Sequence, residues 1–123
     1  MKTSHVLYVE DDPVNAMPMQ GILELRPGYV LQVARSGAEA RRMAAHGPID
    51  LLLCDLHLPD VGGGELLSQL RAAGLPPSVP ALLVTAESDY VAAQLARHHG
   101  YDGHWTKPLD VAATLRSLER WLS

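Results

Sequence analysis

Leu51-Leu52-Leu53-Cys54-Asp55 is the stretch of this 123-residue chain that decides its fold. Four consecutive apolar residues are typical of a strand that is covered on both faces, as the central strands of parallel sheets are. We therefore predict a strand over Asp50 to Cys54. Asp55 would then lie at the carboxyl end of that strand, which is where open parallel α/β sheets bind their ligands.

Apolar runs alternate with helical patterns on both sides of this strand, which predicts βαβ units around a parallel sheet. The other strands are predicted at His5 to Val9, Tyr29 to Ala34, Ala81 to Thr85 and Gly103 to Thr106. The helices are predicted at Pro13 to Leu25, Gly37 to His46, Gly64 to Ala73, Ser88 to His99 and Asp110 to Leu122. Because a proline inside a helix lacks a backbone donor and clashes with the preceding turn, we expect a bend or irregular turn near Pro18.

The composition favours one folded, water-soluble domain over residues 1–123, with 47% hydrophobic and 20% charged residues. The net charge of −4 gives no electrostatic reason to expect nucleic-acid binding. Cys54 is the single cysteine, so no intramolecular disulfide can form, and we expect it to be a small core residue in a reducing cytoplasm. We find neither a signal peptide nor an apolar run near the roughly 20 residues that cross a bilayer, so no membrane insertion is expected.

Polar side chains follow or end four of the five predicted strands. Glu10 and Asp11 follow the first strand, Asp55 the third and Lys107 the fifth, and Thr85 ends the fourth. Since the carboxyl ends of parallel strands meet at one edge, three carboxylates would come together there and would need a compensating cation. Mg²⁺ prefers oxygen ligands and is commonly held by one or two carboxylates plus phosphate oxygens. The sequence therefore predicts a magnesium site open to a phosphoryl group.

The same residues have the chemistry of phosphoryl transfer. An aspartate can attack phosphorus and form an aspartyl phosphate, and Asp55 is the best candidate because packed backbone would hold it in place. Lys107 would supply a cationic clamp and Thr85 a hydroxyl for the transferred oxygens.

The order and spacing of Glu10-Asp11, Asp55, Thr85-Ala86 and Lys107-Pro108 resemble those of response-regulator receiver domains of two-component signalling systems. The resemblance covers essentially the whole chain. It implies a flavodoxin-like, doubly wound α/β fold with five helices around a five-stranded parallel sheet in the order 2-1-3-4-5.

The resemblance also implies a role for each matching residue. Asp55 would accept a phosphoryl group from a histidine kinase or a histidine phosphotransfer protein. Glu10 and Asp11 would hold Mg²⁺ together with Asp55 and the backbone carbonyl of His57. Thr85 and Lys107 would contact the phosphoryl group, and the Lys107-Pro108 peptide would be cis.

Three further features follow from this likeness. The aromatic switch of the family lies three residues before the lysine, where this chain departs from the pattern with His104, whose ring can change charge near neutral pH. Trp105 should point to the opposite face of its strand. The face made by helix four, strand five and helix five would bind partners or a second copy in a homodimer. The stretch from Tyr8 to Ala34 is similar to receivers at the C-terminus of hybrid histidine kinases.

Simpler interpretations exist for several of these residues taken singly. Asp11 and Asp12 could merely cap the first helix, and Thr85 could be an ordinary strand residue. Adjacent residues on a helix point about 100° apart, so His98-His99 is better explained as a solvated helix end than as a metal site. Gly62-Gly63-Gly64 lacks the Lys-Ser/Thr of a nucleotide-binding loop and is expected to be a flexible lead into the third helix.

Two other functions compete with a phosphoacceptor. A phosphatase would share the aspartyl nucleophile, but the chain has no residues to spare for a substrate-selecting cap. A pure interaction module would have lost the pocket residues, which are all retained here. We therefore expect a signalling domain rather than an enzyme, and, since the chain ends at Ser123, no output domain.

Overall fold

The computed structural model describes residues 2–123 and contains five strands and five helices in strict alternation. The strands are β1 (Ser4–Val9), β2 (Tyr29–Ala34), β3 (Leu51–Asp55), β4 (Ala81–Thr85) and β5 (Gly103–Thr106). The helices are α1 (Pro13–Leu23), α2 (Gly37–His46), α3 (Gly63–Ala72), α4 (Asp89–His98) and α5 (Val111–Leu122).

The five strands form one parallel sheet in the order β2-β1-β3-β4-β5, which confirms the predicted fold and strand order. The chain adds β2 to one side of β1 and β3 to the other. The strand order therefore reverses between β1 and β3, whose carboxyl ends open onto a crevice. Val9 pairs with Cys54 there, so the residues that follow, Glu10 and Asp55, reach the crevice side by side.

The core consists of two layers because side chains alternate across the sheet. Leu52 and Cys54 face the layer covered by α2, α3 and α4, whereas Leu51 and Leu53 face the layer covered by α1 and α5. All four are completely buried. This double coverage explains why β3 reads as an uninterrupted apolar run.

Several helix and strand ends differ from the prediction by one or two residues. Ser88 and Asp110 are N-caps, so α4 and α5 each begin one residue later than predicted. α1 ends at Leu23, two residues early, and α3 begins and ends one residue early. The bounds of β1 and β3 also move by one residue, to Ser4–Val9 and Leu51–Asp55.

The irregular turn expected at Pro18 is not formed. α1 is one uninterrupted helix from Pro13 to Leu23 with Pro18 inside it. Pro18 and Val14 are both exposed, so water can bind the carbonyl group of Val14 that loses its helical donor. Within residues 2–123, no helix has the length and apolar character that a membrane span requires.

Candidate functional site

A lysine bound to two buried carboxylates is the centre of the crevice. Lys107 Nζ lies 3.0 Å from Glu10 Oε1 and 3.1 Å from Asp55 Oδ2. Glu10 is 1% exposed and Asp55 8% exposed, whereas the lysine side chain keeps a 26% exposed fraction. β1, β3 and β5 thus bring together three charges that lie far apart in the sequence, as the strand order predicted.

The charges of this group are not balanced. Burial raises the pKa of Glu10, although the hydrogen bond from Lys107 opposes that effect. Burial would lower the pKa of Lys107, but its contacts with Glu10 and Asp55 outweigh burial and raise it. The pocket therefore holds a protonated ammonium between two carboxyl groups. A further cation bound there would be stabilised by the negative charge that the single lysine does not compensate.

Asp55 is oriented at both oxygens. Its Oδ1 accepts a hydrogen bond from the backbone N–H of His57 at 3.1 Å, and its Oδ2 accepts one from Lys107. The Lys107-Pro108 peptide is cis, as predicted, and the backbone N–H of Lys107 donates to the carbonyl oxygen of Thr85 at 2.8 Å. The carboxylate is thus held in one orientation at the end of β3.

Thr85 lies at the same edge of the sheet but does not hydrogen-bond to Asp55. Its Oγ1 accepts a hydrogen bond from the backbone N–H of Glu87 at 3.2 Å, and the residue is 3% exposed. The hydroxyl group therefore begins the loop between β4 and α4.

The acidic residues after β1 have three different environments. Glu10 is buried and accepts hydrogen bonds at both oxygens, from Asp12 N at 3.3 Å and from Tyr8 Oη at 3.4 Å, besides its contact with Lys107. Asp12 caps α1 by accepting from Val14 N at 2.9 Å. Asp11 is exposed. The helix-cap interpretation is thus correct for Asp12.

The predicted metal ligands do not form a closed cage. In the described part of the chain, no three His, Cys, Asp or Glu side chains are grouped as a metal site. Mg²⁺, however, needs only one or two carboxylates and takes its other ligands from carbonyls and water. The carboxylates of Glu10, Asp11 and Asp55 and the backbone carbonyl of His57 are oxygen ligands of the kind that this ion prefers, so the residues present fit it in chemical type.

The residues around His104 point as predicted. His104 Nε2 lies 3.3 Å from Asp89 Oδ1 at the start of α4, whereas Trp105 Nε1 donates to Ser117 Oγ on α5 at 2.8 Å. The two rings therefore lie on opposite faces of β5. An open pocket of about 300 Å³ lies between these side chains, next to α5.

One of the simpler interpretations is confirmed, one is confirmed in part and one is corrected. Cys54 is fully buried, and burial raises the pKa of its thiol to about 12, so it is a core residue. The solvated helix end predicted for His98-His99 is confirmed for His98, which is exposed, but not for His99, which is half-buried with its ring against Gly64. Gly63, in contrast, is buried against the backbone of Asp55, where an added methyl group would overlap the carbonyl oxygen. The flexible lead predicted for this stretch is therefore wrong at Gly63, which is tightly packed.

Two contacts that hold the loop between β3 and α3 were not predicted from the sequence. Asp60 Oδ1 and Oδ2 accept hydrogen bonds from the N–H groups of Gly37 and Ala38 at 2.9 and 3.1 Å, at the N-terminus of α2. Tyr101 Oη donates to the carbonyl oxygen of Gly63. Asp60 follows a proline in a loop, which is a weak cue for a capping carboxylate, and nothing in the sequence indicated Tyr101.

Comparison with known proteins gives consistent matches over the whole chain. The family model described as the response regulator receiver domain matches residues 6–119. The TorCAD operon transcriptional regulatory protein TorR of Escherichia coli O157:H7 is 36% identical over 107 residues, which are 87% of this chain and 45% of TorR. The chain therefore spans less than half the length of this curated relative.

Solved structures give the same match. The chemotaxis response regulator CheY4 of Vibrio cholerae superposes with a TM-score of 0.86 at 26% identity, covering 98% of this chain and 100% of that one. The receiver domain of the sensor histidine kinase PA1611 from Pseudomonas aeruginosa PAO1 superposes with a TM-score of 0.82 at 28% identity, covering 98% of each chain. The latter structure has a magnesium ion coordinated in its active site cleft.

Proposed function

Because this chain belongs to the family of response regulator receiver domains, we propose that Asp55 accepts a phosphoryl group from a phosphohistidine of a histidine kinase or histidine phosphotransfer protein. The observation that supports this most directly is the ammonium of Lys107, shared by Asp55 and Glu10 at the carboxyl edge of the sheet. It places a fixed positive charge beside the one carboxylate that ends a central strand. The same charge can pair with a phosphoryl oxygen.

The transfer is a displacement at phosphorus. A carboxylate oxygen of Asp55 attacks the phosphorus atom, the P–N bond to the imidazole breaks, and the imidazole leaves with the electron pair of that bond. Lys107 and the hydroxyl of Thr85 donate hydrogen bonds to phosphoryl oxygens as their charge changes. Because hydrogen bonds already orient both carboxylate oxygens, little reorganisation is needed before attack.

Mg²⁺ would be held by Asp11, Asp55 and the carbonyl of His57, with Glu10 organising the site from behind. When bound, the ion would neutralise charge on the carboxylate and on the phosphoryl oxygens. Burial of Glu10 and the two-to-one ratio of carboxylates to lysine are consistent with a site that binds a further cation.

The partner is proposed to approach over α1. Val14 and Met17 are 69% and 61% exposed on this helix, which is unusual for large apolar side chains. They line an open pocket of about 460 Å³ together with Glu10. An apolar surface beside the acceptor is suited to bind the protein that carries the phosphohistidine.

The protein is proposed to be a cytoplasmic signalling domain rather than an enzyme with a separate substrate. Its output would be a change in partner binding, or in homodimer formation, at the face of α4, β5 and α5. The full protein is proposed to be either a transcriptional regulator, as TorR is, or a hybrid histidine kinase, whose receivers the stretch from Tyr8 to Ala34 resembles.

The first prediction tests the acceptor. Acetyl phosphate with Mg²⁺ should add one phosphoryl group to the parent protein and none to Asp55→Asn, because the amide keeps the side-chain shape but is not a nucleophile. Intact-mass spectrometry measures the labelling, and far-UV circular dichroism checks the fold. Equal labelling of both proteins would exclude Asp55, and no labelling of the parent would support a pure interaction module.

A further inference from the structure

The loop between β3 and α3 is closed directly onto the backbone of Asp55. The N–H of Gly63 donates to the carbonyl oxygen of Leu56 at 3.0 Å. Gly63 itself packs so closely on Asp55 that a side chain there would overlap the Asp55 carbonyl oxygen and touch the Cα of Leu56. The first residue of α3 therefore packs directly against the end of β3. A displacement of Gly63 would displace the backbone of Asp55 as well.

A side chain from outside the phosphoryl site holds Gly63 in this position. Tyr101, which precedes β5, donates its hydroxyl to the carbonyl oxygen of Gly63 across 38 residues of sequence. Tyr101 is 6% exposed, and burial raises its pKa, so the hydroxyl keeps its proton and acts as a donor. The neighbouring His99 ring packs against Gly64, which brings a second side chain of the same segment onto the start of α3.

Tyr101 is itself firmly placed. Its backbone N–H donates to the carbonyl oxygen of Ala96 at 2.8 Å, at the end of α4. The next residue, Asp102, exchanges two hydrogen bonds with Ala81 at the start of β4, through its N–H and through its Oδ2, each at 2.8 Å. The backbone that carries the phenol ring is therefore fixed by hydrogen bonds to α4 and β4.

We infer that Tyr101 is a positioning residue for the phosphoryl acceptor: its hydrogen bond to Gly63 holds the start of α3 against the backbone of Asp55. This inference rests on the proposed function, because it assigns a residue to the same reaction. Tyr101 acts on Asp55 through neighbouring groups: its hydroxyl binds the carbonyl oxygen of Gly63 and also interacts with the thiol of Cys54. Loss of the hydroxyl should let α3 and the end of β3 separate slightly and should misalign the Asp55 carboxylate.

The test is Tyr101→Phe, which keeps the ring in the core and removes only the donor. Phosphorylation by acetyl phosphate at saturating Mg²⁺ should have a maximal rate lower by roughly two- to tenfold, the factor that corresponds to one ordinary hydrogen bond. The half-saturating concentration of acetyl phosphate should not change, since no group that binds it is altered. Hydrogen exchange at the Gly63 amide should become faster in the variant.

The matched control is Ser117→Ala, which also removes one partner of a hydrogen bond, the partly buried one of Trp105 Nε1, but leaves the loop between β3 and α3 intact. Its maximal rate should equal that of the parent. Rates are compared at a temperature where circular dichroism shows all three proteins folded. If the parent is labelled but Tyr101→Phe has an unchanged maximal rate and unchanged hydrogen exchange at Gly63, the inference is overturned. If the parent is not labelled at all, the inference and the proposed function are overturned together.

Discussion

At the scale of single residues, the site is built on an unequal pairing of charges. Lys107 serves two carboxylates, and one of them, Glu10, is almost completely buried. Burying a charge is unfavourable unless it is fully compensated. The raised pKa of Glu10 means that its compensation is incomplete. We therefore expect Glu10 to lower the stability of the free protein and to be retained for its role at the site.

The second prediction follows from this conflict. Glu10→Gln should weaken Mg²⁺ binding and also raise the free energy of unfolding at neutral pH, by about 1 kcal/mol, a size common for single substitutions. The stabilisation should be absent below the ordinary glutamate pKa of 4.5, where the folded and unfolded states are both protonated, and should be complete above the raised pKa. Urea unfolding at several pH values and metal titration measure the two effects.

The control for this prediction is Asp11→Asn. Asp11 is exposed, so its replacement should weaken Mg²⁺ binding with little change in stability. Unchanged Mg²⁺ affinity in both variants would remove the acidic pair from the metal site. A lower free energy of unfolding for Glu10→Gln would mean that Lys107 compensates the buried carboxylate fully.

At the scale of secondary-structure elements, α1 exposes large apolar side chains beside the acceptor pocket, and α4 and α5 expose others elsewhere, at Tyr90, Val91 and Val111. Ala16 and Met19 on its inner side are buried, whereas Val14 and Met17 on its outer side are largely exposed. A helix that packs on a sheet normally has polar residues on its outer side. The apolar outer side is next to the acceptor pocket, which is why we expect it to bind the phosphohistidine partner.

The third prediction concerns this surface. Met17→Glu should slow phosphoryl transfer from a phosphorylated protein donor by about tenfold, since a central interface side chain contributes of the order of 1 kcal/mol or more. Labelling by acetyl phosphate should stay at the parent rate, because the small donor needs no docking surface. Leu25→Glu is the control, as Leu25 is also exposed, at 54%, but lies beyond the far end of the helix. Equal transfer rates for Met17→Glu and Leu25→Glu would exclude this surface.

At the scale of the whole molecule, the loops of the site lead directly to a distant face. Thr85 begins the loop that enters α4, and Lys107 begins the loop that enters α5. A dianionic group on Asp55 would attract the hydroxyl and the ammonium and so bias both loops. His104, paired with Asp89 at the start of α4, lies between them.

The fourth prediction is that a phosphate mimic such as beryllium fluoride changes amide chemical shifts from Ser88 to His104 as well as in the pocket. The spectra are compared at a fixed Mg²⁺ concentration with and without the mimic, and Asp55→Asn with the mimic is the control. Shifts confined to the pocket would mean that this protein does not signal through α4, β5 and α5.

The alternation of strands and helices, the parallel sheet and the edge at which the polar residues meet could all be predicted from the amino-acid pattern. The reason is local: a strand covered on both faces, such as Leu51 to Cys54, must be apolar throughout, and the residues that follow such strands necessarily reach one edge. Helix ends were predicted only to within two residues. One reason is that the N-caps Ser88 and Asp110 were counted as the first helical residues.

How the charges of the site are shared, and which contacts hold Asp55, became visible only in the folded chain. Nothing in the sequence distinguishes the buried Glu10 from the exposed Asp11, since burial depends on how β1 and β3 bring their ends together. α1 continues without interruption through Pro18, whose side of the helix faces water. Tyr101 and Gly63 lie 38 residues apart, and their contact exists only because the segment before β5 packs on the start of α3. Contacts of this kind depend on distances between elements, which a one-dimensional pattern does not contain.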